Sequence, residues 1–405
     1  MTSWKRGRRV LLGVTGGIAA YKIPELVRRL RREDCEVEVI MTCAAERFVS
    51  PLVLATLSGR RVWRQEDLLS EEGGASIPHI RLAEWAEAVA IVPCTADAAS
   101  DLAHGRGEGL LAAALLAATA PVLVFPAMNA HMYRNAAVQE NLSTLARRGV
   151  RVVEPSAGAL ACGEEGPGRM PEPVEIAEEI FRALAPVHDL QGVHVLVTAG
   201  PTHEYLDPVR FISNPSTGRM GLAMARAAWY RGAEVRVILG PVDPAPCSLY
   251  GLEVTRVVSA LEMRDAVMAN LDWARLIVKA AAVGDYRARD RQPHKMKREG
   301  REALSLDLVQ NPDIAAEVGA NKRPDQVLIG FAAETDDIQR NARAKMERKG
   351  LNFILANDVL APGSGFASET NALRLIAPDG EEFLSGRKED VADAVWSSLA
   401  GRLQL

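Results

Sequence analysis

The sequence predicts an α/β fold built from two doubly wound, Rossmann-like domains. Short apolar runs alternate with longer stretches of helical periodicity, and glycines or other small residues stand where an apolar run ends. A strand, a turn, a helix and a second strand in this order form a βαβ unit, which requires a parallel sheet. The alternation stops near residue 188 and then begins again, so we expect one domain over residues 1–188 and a second over residues 189–405.

The first domain opens with "RRVLLGV", a predicted buried strand, followed by a glycine turn and a helix with one apolar face. That face is expected to hold Ile18, Ile23, Leu26, Val27 and Leu30. Further strands are predicted at "CEVEVIMT", "AVAIVP", "PVLVF" and "VRVVEP". Helices are expected from about Ala96, from about Tyr133 to Arg148, and over "PVEIAEEIFRAL".

The second domain repeats the opening pattern. "GVHVLVTAG" predicts a strand, and "GRMGLAMARAAWYRGAEVRVILG" predicts a helix followed by a strand, with the long insert "PTHEYLDPVRFISNPST" between them. "IVKAAAVGDYR" is a strand that ends in three alanines. "NALRLIAPDGEEFLSG" predicts a hairpin with Asp379-Gly380 as its turn, and "RKEDVADAVWSSLAGRL" a closing helix.

Composition excludes several classes of protein. The net charge of the 405 residues is −4 with mixed signs, which argues against a protein that coats nucleic acid. The five cysteines include no C-x-x-C pair, so we expect no zinc site or disulfide framework and a cytoplasmic location. The N-terminal apolar run is too short for a signal peptide. Pro121 divides the longest uncharged stretch, residues 109–128, into a helix and a strand rather than a membrane span.

Three stretches of the first half predict a ligand site. "GVTGGIAAYK" places small residues at a strand-to-helix turn, where backbone N–H groups favour a phosphate, although any tight turn of this kind can use such glycines. It matches neither the dinucleotide nor the P-loop fingerprint. "IVPCTADAAS" and "FPAMNAHMYRN" end strands at the edge where open α/β sheets bind ligands. Asn129 suits a carboxylate or amide, or else it caps the following helix.

Taken in order, "GVTGGIAAYK", "HIRLAEWAE", "PCTADAAS", "PAMNAHMY" and "ACGEEGPGRM" resemble the flavin-containing cysteine decarboxylases, and specifically the phosphopantothenoylcysteine decarboxylases of coenzyme A biosynthesis. The resemblance implies a homo-oligomeric, flavodoxin-like fold that binds FMN. It implies catalytic roles for His79, Asn129 and Cys162. It implies cofactor contacts at Gly16, Gly17, Ile18, Thr42, Thr95, Ala96 and Met128.

The chemistry that this resemblance implies is redox-neutral. The cysteine end of 4′-phosphopantothenoylcysteine is first oxidised to a thioaldehyde. Loss of CO₂ then leaves an enethiol, which is reduced to 4′-phosphopantetheine. FMN takes up the electrons in the first step and returns them in the last. No nicotinamide cofactor is then needed, in agreement with the missing dinucleotide fingerprint. Cys162 would donate the proton to carbon. His79 would act on the substrate thiol or pair with its carboxylate, and Asn129 would hold that carboxylate.

The second half carries a different set of motifs. "SNPSTGRMG" leads hydroxyls and glycines into a helix N-terminus, which suits a polyphosphate, and the three alanines of "IVKAAAVGDYR" would let a flat group approach the backbone. "HKMKREG" is a basic cluster, for which a solvated loop is the ordinary explanation.

The ordered motifs of residues 189–405 resemble the phosphopantothenate–cysteine ligase domain. The resemblance implies that Asn214 is catalytic and that Lys295 contacts the nucleotide, and Arg298 stands where the family often has lysine. Asp285 is the candidate metal ligand. The expected substrate contacts are Ser216, Gly218, Lys279, Ala281, Ala282, Asp285, Lys297, Asn311, Asp313 and Phe331.

The order of the two halves resembles the fused bacterial coenzyme A biosynthesis proteins, so a bifunctional enzyme is implied. The ligase would use CTP and Mg²⁺ to convert 4′-phosphopantothenate to an acyl-cytidylate, and L-cysteine would displace CMP. Its product is the substrate of the decarboxylase. The resemblance also implies a dodecamer of decarboxylase trimers and ligase dimers, without nucleic acid or membrane partners. The alternative is a flavin-binding regulatory protein of the phosphatase-inhibitor type, without catalysis.

Overall fold

The apolar runs of the first half form the parallel sheet that their pattern predicts. A computed structural model describes residues 4–69, 77–159, 165–297, 304–334, 338–358 and 368–404. The chain divides into two units between Pro186 and Val187. The sheet strands of the first unit are β1 (Arg9–Val14), β2 (Glu36–Met41), β3 (Val62–Trp63), β4 (Ala88–Cys94), β5 (Val122–Pro126) and β6 (Arg151–Val152). They are parallel and lie in the order β3-β2-β1-β4-β5-β6.

Helices connect these strands and cover both faces of the sheet. They are α1 (Ile23–Arg32), α2 (Pro51–Ser58), α3 (Pro78–Trp85), α4 (Ala96–His104), α5 (Leu110–Ala117), α6 (Ala130–Arg134), α7 (Ala136–Arg147) and α8 (Pro173–Leu184). Leu11 of β1 packs into a cluster with residues of α3 and α5, and its neighbour Leu12, on the opposite face, is equally buried. Burial on both faces explains why these strands are continuous apolar runs. A separate antiparallel hairpin, β7 (Ser156–Ala159) and β8 (Glu165–Arg169), precedes α8.

The second unit begins a new sheet. Its strands are β9 (His194–Ala199), β10 (His203–Tyr205), β11 (Phe211–Ser213), β12 (Glu234–Leu239), β13 (Glu253–Arg256), β14 (Leu276–Lys279), β15 (Tyr286–Ala288), β16 (Leu308–Gln310), β17 (Val327–Glu334), β18 (Phe353–Asp358), β19 (Thr370–Ala377) and β20 (Gly380–Arg387). The main sheet has the order β13-β12-β9-β14-β17-β18-β19-β20, and only the β18–β19 and β19–β20 pairs within it are antiparallel. β10–β11 and β15–β16 form separate antiparallel pairs.

Five helices are described in this unit, namely α9 (Arg219–Tyr230), α10 (Ala260–Ala269), α11 (Ile314–Asn321), α12 (Ile338–Arg348) and α13 (Lys388–Leu403). A core cluster joins the sheet, through Ile277 and Leu328, to Val267 of α10 and Val318 of α11. The closing helix α13 packs against α9, where the buried Trp396 indole donates a hydrogen bond to the Met224 carbonyl oxygen at 2.9 Å.

Strand order places a ligand-binding crevice in each unit. From β1 the first strands are added toward one edge of the sheet and the later ones toward the other, so the strand order reverses between β1 and β4. In the second unit the same reversal lies between β9 and β14. Loops on either side of such a switch point diverge and leave a crevice at the carboxyl ends of the strands. The doubly wound α/β architecture predicted from the sequence is therefore confirmed.

Three local predictions need correction. Ile18 is 58% exposed in a 3₁₀ turn, Ile18–Lys22, because α1 begins only at Ile23. The single helix expected after Tyr133 is two helices, α6 and α7, since Asn135 ends the first and caps the second. The β19–β20 hairpin is confirmed, but Ala377 pairs with Gly380, so its turn residues are Pro378 and Asp379.

Candidate functional site

In the first unit, the predicted cofactor residues follow four neighbouring strands at the same edge of the sheet. Gly16, Gly17 and Ile18 follow β1, Thr42 follows β2, Thr95 and Ala96 follow β4, and Met128 follows β5. The carboxyl ends of parallel strands meet at one edge, so the fold collects residues that are more than a hundred positions apart in sequence.

Hydrogen bonds tie the ends of β1 and β4 together across the switch point. The buried Thr15 hydroxyl donates to the Pro93 carbonyl oxygen at 2.7 Å and accepts from the Thr95 backbone N–H at 3.2 Å. The Thr95 hydroxyl in turn accepts from the Ala98 N–H at 3.3 Å and caps α4. The N-terminus of α4 is therefore fixed beside the glycine turn, where its dipole favours an anion.

The two glycines of this turn differ in whether packing requires a residue without a side chain. A Cβ at Gly16 would lie 2.3 Å from the Ala44 Cβ, so the close approach of the next loop already requires glycine there. A Cβ at Gly17 would find no atom nearer than 3.8 Å. Gly16 is therefore explained by packing, whereas a methyl group at Gly17 would make only ordinary contacts with Pro93 and Thr95, so packing does not require glycine there.

Asn129 caps α6. Its side-chain oxygen accepts the backbone N–H groups of His131 at 2.8 Å and Met132 at 3.4 Å. The capping alternative considered from the sequence is thus confirmed. Capping also fixes the orientation of the amide, because one oxygen holds two backbone donors.

The β7–β8 hairpin packs directly against the segment that carries Asn129. The Met128 N–H donates to the Gly168 carbonyl oxygen at 3.0 Å, and a Cβ at Gly168 would lie 2.2 Å from the Met128 oxygen. A Cβ at Gly166 would lie 3.0 Å from the Ala130 Cβ. Gly166 and Gly168 are therefore close-packing positions within β8.

Two further predicted catalytic residues have less structural support. Cys162 lies outside the described residues, between Ala159 and Glu165, which pair across the hairpin. His79 lies in the first turn of α3, and its Nδ1 is buried without a hydrogen-bond partner among the described residues. Within the described ranges, no hydrogen bond joins the His79 Nδ1 to the residues at the carboxyl edge of the sheet.

In the second unit, a cleft of about 580 Å³ opens at the carboxyl ends of β14 and β17. Most of the residues predicted for this half line it. They are Asn214, Ser216, Gly218, Lys279, Ala281, Ala282, Asp285, Asn311, Asp313 and Phe331. The cleft therefore brings together four separate stretches of sequence that were selected by motif.

Asn214 and Asn311 shape the wall formed by the loop after β14. The Asn214 amide donates to the carbonyl oxygen of Val283 at 3.0 Å and, more weakly, to that of Ala282 at 3.4 Å. The buried Asn311 amide donates to the Gly284 oxygen at 2.8 Å, and its own oxygen accepts from Arg287 at 3.1 Å. Both side chains thus hold the loop in place, whatever else they contact.

Asp313 caps α11 and forms an ion pair at the mouth of the cleft. Its carboxylate accepts the Ala316 N–H at 3.1 Å and lies 2.9 Å from the Lys349 ammonium. Burial alone would raise the pKa of Asp313, but the hydrogen bond from Lys349 outweighs it and the pKa stays below its ordinary value. Asp313 is therefore ionised and its charge is already matched.

Lys279, the last residue of β14, is 8% exposed in the floor of the cleft. Its Nζ has no hydrogen-bond partner within the part of the chain that the structure describes. Burial lowers the pKa of Lys279 to about 7, with Asp313 opposing this change and Lys349 adding to it.

Sequence reasoning missed several basic and amide side chains of the cleft. They are Arg219, Lys345, Lys349, Asn357, Asn371 and Lys388. Lys345 and Lys349 are four residues apart, the spacing that puts two side chains on one face of a helix, and this signal was available in the sequence. Burial, and to a smaller extent Arg219, lowers the pKa of Lys388.

Lys295 and Lys297 do not line the cleft; they lie exposed on the segment that ends the described range before residue 298, and Arg298 is outside that range. The segment is anchored by Asp207, a fully buried carboxylate that accepts the backbone N–H groups of Met296, Val209 and Arg210. Burial alone would raise the pKa of Asp207, but these bonds and the Arg210 side chain lower it to about 2.

Neither unit presents a preformed cluster of metal ligands. Within the described ranges, no three His, Cys, Asp or Glu side chains group around a common point. Asp285 lies exposed at the cleft and would be a single protein ligand. Mg²⁺ in nucleotide sites is commonly held by one or two carboxylates together with substrate phosphates, so this arrangement is compatible with the predicted role. Among the described helices, none has the length and apolar character needed to cross a membrane.

Comparison with known proteins gives the same division of the chain. A family model described as "Flavoprotein" matches residues 2–185, and one described as "DNA/pantothenate metabolism flavoprotein C-terminal domain" matches residues 190–403. The chain is 45% identical over 388 residues to the coenzyme A biosynthesis bifunctional protein CoaBC of Escherichia coli, which covers 95% of this chain and 94% of that protein. It is 45% identical over 381 residues to the protein of the same name from Bacillus subtilis, at 93% and 92% coverage.

Solved structures resemble each half separately. The C-terminal domain of a coenzyme A biosynthesis bifunctional protein CoaBC is 34% identical with a TM-score of 0.45, over 54% of this chain and 98% of that one. A mutant PPC decarboxylase complexed with pantothenoylaminoethenethiol is 31% identical with a TM-score of 0.41, over 43% of this chain and 97% of that one.

Proposed function

The chain belongs to the family of bifunctional coenzyme A biosynthesis proteins, and from that premise we propose that its second unit makes 4′-phosphopantothenoylcysteine and its first unit decarboxylates it. The ligase joins 4′-phosphopantothenate to L-cysteine, and the decarboxylase converts the product to 4′-phosphopantetheine. Each unit carries a crevice at its own switch point, as two successive reactions require. Membership of this family argues against the non-catalytic regulatory alternative.

The crevice of the first unit fits FMN. Packing does not explain Gly17, which lies beside the fixed N-terminus of α4, a place that suits a phosphate. The exposed side chains of Ile18 and Tyr21 offer apolar surface nearby for a flat ring. Gly16, Gly17 and Ile18 would bind the phosphate, with Thr42, Thr95, Ala96 and Met128 around the rest. FMN, when bound, would supply the two-electron chemistry, namely oxidation of the substrate thiol and later reduction of the enethiol to 4′-phosphopantetheine.

The protein's own side chains would orient the substrate and move its protons. Asn129 would present its amide to the leaving carboxylate from a position that the cap fixes. His79, whose buried Nδ1 has no partner within the described ranges, would hold the substrate thiol or carboxylate. Cys162 would supply the proton at carbon in the last step.

The basic cleft is the observation that carries the ligase proposal. Ten residues selected by motif converge on it, together with lysines from α12 and α13. The lysines would stabilise the negative charge of the nucleotide phosphates. Asp285 and the phosphates together would bind Mg²⁺. Asn214 would hydrogen-bond the acyl-cytidylate, and Lys295 would approach from its anchored segment.

One assay tests both halves. The purified full chain, incubated with 4′-phosphopantothenate, L-cysteine, CTP and Mg²⁺, is expected to release pyrophosphate and then CO₂. Pyrophosphate without CO₂ would contradict the decarboxylase half, and no pyrophosphate with CTP would contradict the ligase half as proposed. Replacing CTP by ATP tests the nucleotide preference. An absorbance spectrum without flavin bands would argue against FMN.

The decarboxylase proposal has a specific variant. Cys162→Ser is expected to release CO₂ from 4′-phosphopantothenoylcysteine but to accumulate the unsaturated enethiol, because a serine hydroxyl is a far weaker acid than a thiol. Mass spectrometry of the products would show a species two mass units below 4′-phosphopantetheine. Normal formation of 4′-phosphopantetheine by this variant would refute the proton-donor role. Cys43→Ser, at an exposed cysteine, is the matched control.

We further propose that the enzyme works in the cytoplasm as a dodecamer of decarboxylase trimers and ligase dimers, with no nucleic-acid or membrane partner. Several large apolar side chains are exposed in each unit, among them Leu52 and Leu116 in the first and Phe211 and Tyr286 in the second. Exposed apolar surface of this kind is typical of assembly interfaces. Mass photometry of the full chain tests the stoichiometry, and a monomer at micromolar concentration would refute it.

A further inference from the structure

Lys279 lies in an environment that an ordinary phosphate-binding lysine does not have. It ends the central strand β14, where it pairs with Thr198 of β9 and Gly330 of β17. Its side chain is more than nine-tenths buried, yet it lines the cleft, and no described residue accepts a hydrogen bond from its Nζ. An ammonium group in such a place loses its hydration without gaining an acceptor.

Among the residues that the structure describes, the charged groups around the cleft do not supply a counter-ion. The cations that line it are Arg219, Lys279, Lys345, Lys349 and Lys388, and the anions are Asp285 and Asp313. Asp313 is already bound by Lys349 at 2.9 Å, and Asp285 is exposed to solvent. The charges that remain near Lys279 are mainly positive, which favours its uncharged amine. This agrees with the pKa of about 7 that burial produces.

Nucleotide phosphates would reverse this balance. A phosphate oxygen accepts a charge-assisted hydrogen bond and brings negative charge into a site of low dielectric constant, where the attraction is strong. We propose that, above neutral pH, Lys279 is mostly uncharged before substrate binds and takes up a proton from solvent when the nucleotide phosphates enter the cleft. This inference rests on the proposed use of a nucleoside triphosphate by the second unit.

Proton-linked calorimetry tests the inference. The full chain is titrated with CTP and Mg²⁺ in buffers of different ionisation enthalpy, so that the slope gives the number of protons taken up. With a pKa of about 7, roughly nine-tenths of Lys279 is neutral at pH 8 and only about one-tenth at pH 6. The uptake due to Lys279 is therefore expected to fall by roughly 0.8 proton between pH 8 and pH 6.

Variants separate this proton from those of the nucleotide itself. Lys279→Met removes the amine and is expected to lose the uptake seen at pH 8, while Lys279→Arg, which is always charged, binds CTP without it. Lys322→Met, at a half-buried lysine outside the cleft, is expected to keep the wild-type value. Circular dichroism checks that each variant is folded, and the comparison of pH 6 with pH 8 on the unmodified chain needs no variant.

The outcomes are distinguishable. CTP binding with the same proton uptake in wild type and Lys279→Met overturns the role of Lys279 and leaves the ligase proposal intact. Uptake that does not change between pH 6 and pH 8, after subtraction of the nucleotide's own protons, also overturns it. If the wild-type chain binds no CTP, the proposed nucleotide use fails, and the inference fails with it.

Discussion

Lys279→Met is expected to stabilise the second unit, and to do so more at low pH than at high pH. The folded chain holds the pKa of Lys279 at about 7, well below the value of about 10.4 in an unfolded chain. Between these two values the unfolded chain binds more protons than the folded one, so the free energy of unfolding rises with pH. The penalty for burying the lysine is therefore fully present below pH 7 and declines as the pH rises through this window.

The size of the effect follows from the same two values. Linkage gives a penalty of roughly 5 kcal/mol at pH 6 and roughly 2 kcal/mol at pH 9, so the difference is about 3 kcal/mol. Methionine has a similar length and no charge, and its packing contribution does not depend on pH. The stabilisation by Lys279→Met is expected to be about 3 kcal/mol larger at pH 6 than at pH 9.

Urea denaturation of the full chain measures this difference. A short pulse of protease at each urea concentration, followed by mass spectrometry of fragments from residues 187–404, reports unfolding of the second unit alone. Lys322→Met, outside the cleft, is the control and should show no such dependence. An equal effect of Lys279→Met at pH 6 and pH 9 would show that the amine does not titrate in this range, and the reasoning from burial would be wrong.

Three further changes test the geometry of the two units. Gly168→Ala places a methyl group 2.2 Å from a backbone oxygen at a φ of +126°, so we expect decarboxylation to fall at least tenfold while pyrophosphate release is unchanged. Gly149→Ala, also at positive φ but with no atom within 4 Å, should spare both activities, and equal losses in the two variants would refute the packing argument. Thr15→Val removes two hydrogen bonds, one of them buried, so FMN release measured by fluorescence should quicken several-fold, and unaltered release would count against the link between β1 and β4. Asp207→Asn removes the charge that anchors Met296, so amides of residues 292–297 should exchange faster and the KM for CTP should rise with little change in kcat. Unchanged exchange would contradict the anchoring role.

The elements of the fold were largely predictable because their determinants are local. Strands buried on both faces are continuous apolar runs, and β1, β4 and β5 were each placed to within about two residues. The errors arose where capping residues and turn geometry set the ends of a helix. Ile18 has the right spacing for the apolar face of α1, but that helix begins five residues later. Asn135 separates α6 from α7, which periodicity alone had predicted as one helix.

The candidate sites were predictable in a more restricted sense. Motifs that end strands lie together at one edge of each sheet, as expected, because parallel strands bring their carboxyl ends to one edge. The physical role of an individual residue was often a structural one that its motif did not show. Gly16 is fixed by contact with Ala44, and Asn129 by two backbone donors of α6. The family resemblance implied a nucleotide contact at Lys295, yet this lysine lies outside the cleft, while Lys345 and Lys388 line it.

The sequence by itself determined the α/β architecture, the family, and the strands whose ends carry the candidate site residues. Only the tertiary structure decided which lysines share a cleft and which of them is buried without a counter-ion among the described side chains. Periodicity and motif spacing depend on neighbours within a few residues, whereas the solvation of Lys279 depends on β9, β17 and α11, which lie far apart in the chain. The charge of a side chain is set by its surroundings, and the fold assembles those surroundings from distant segments.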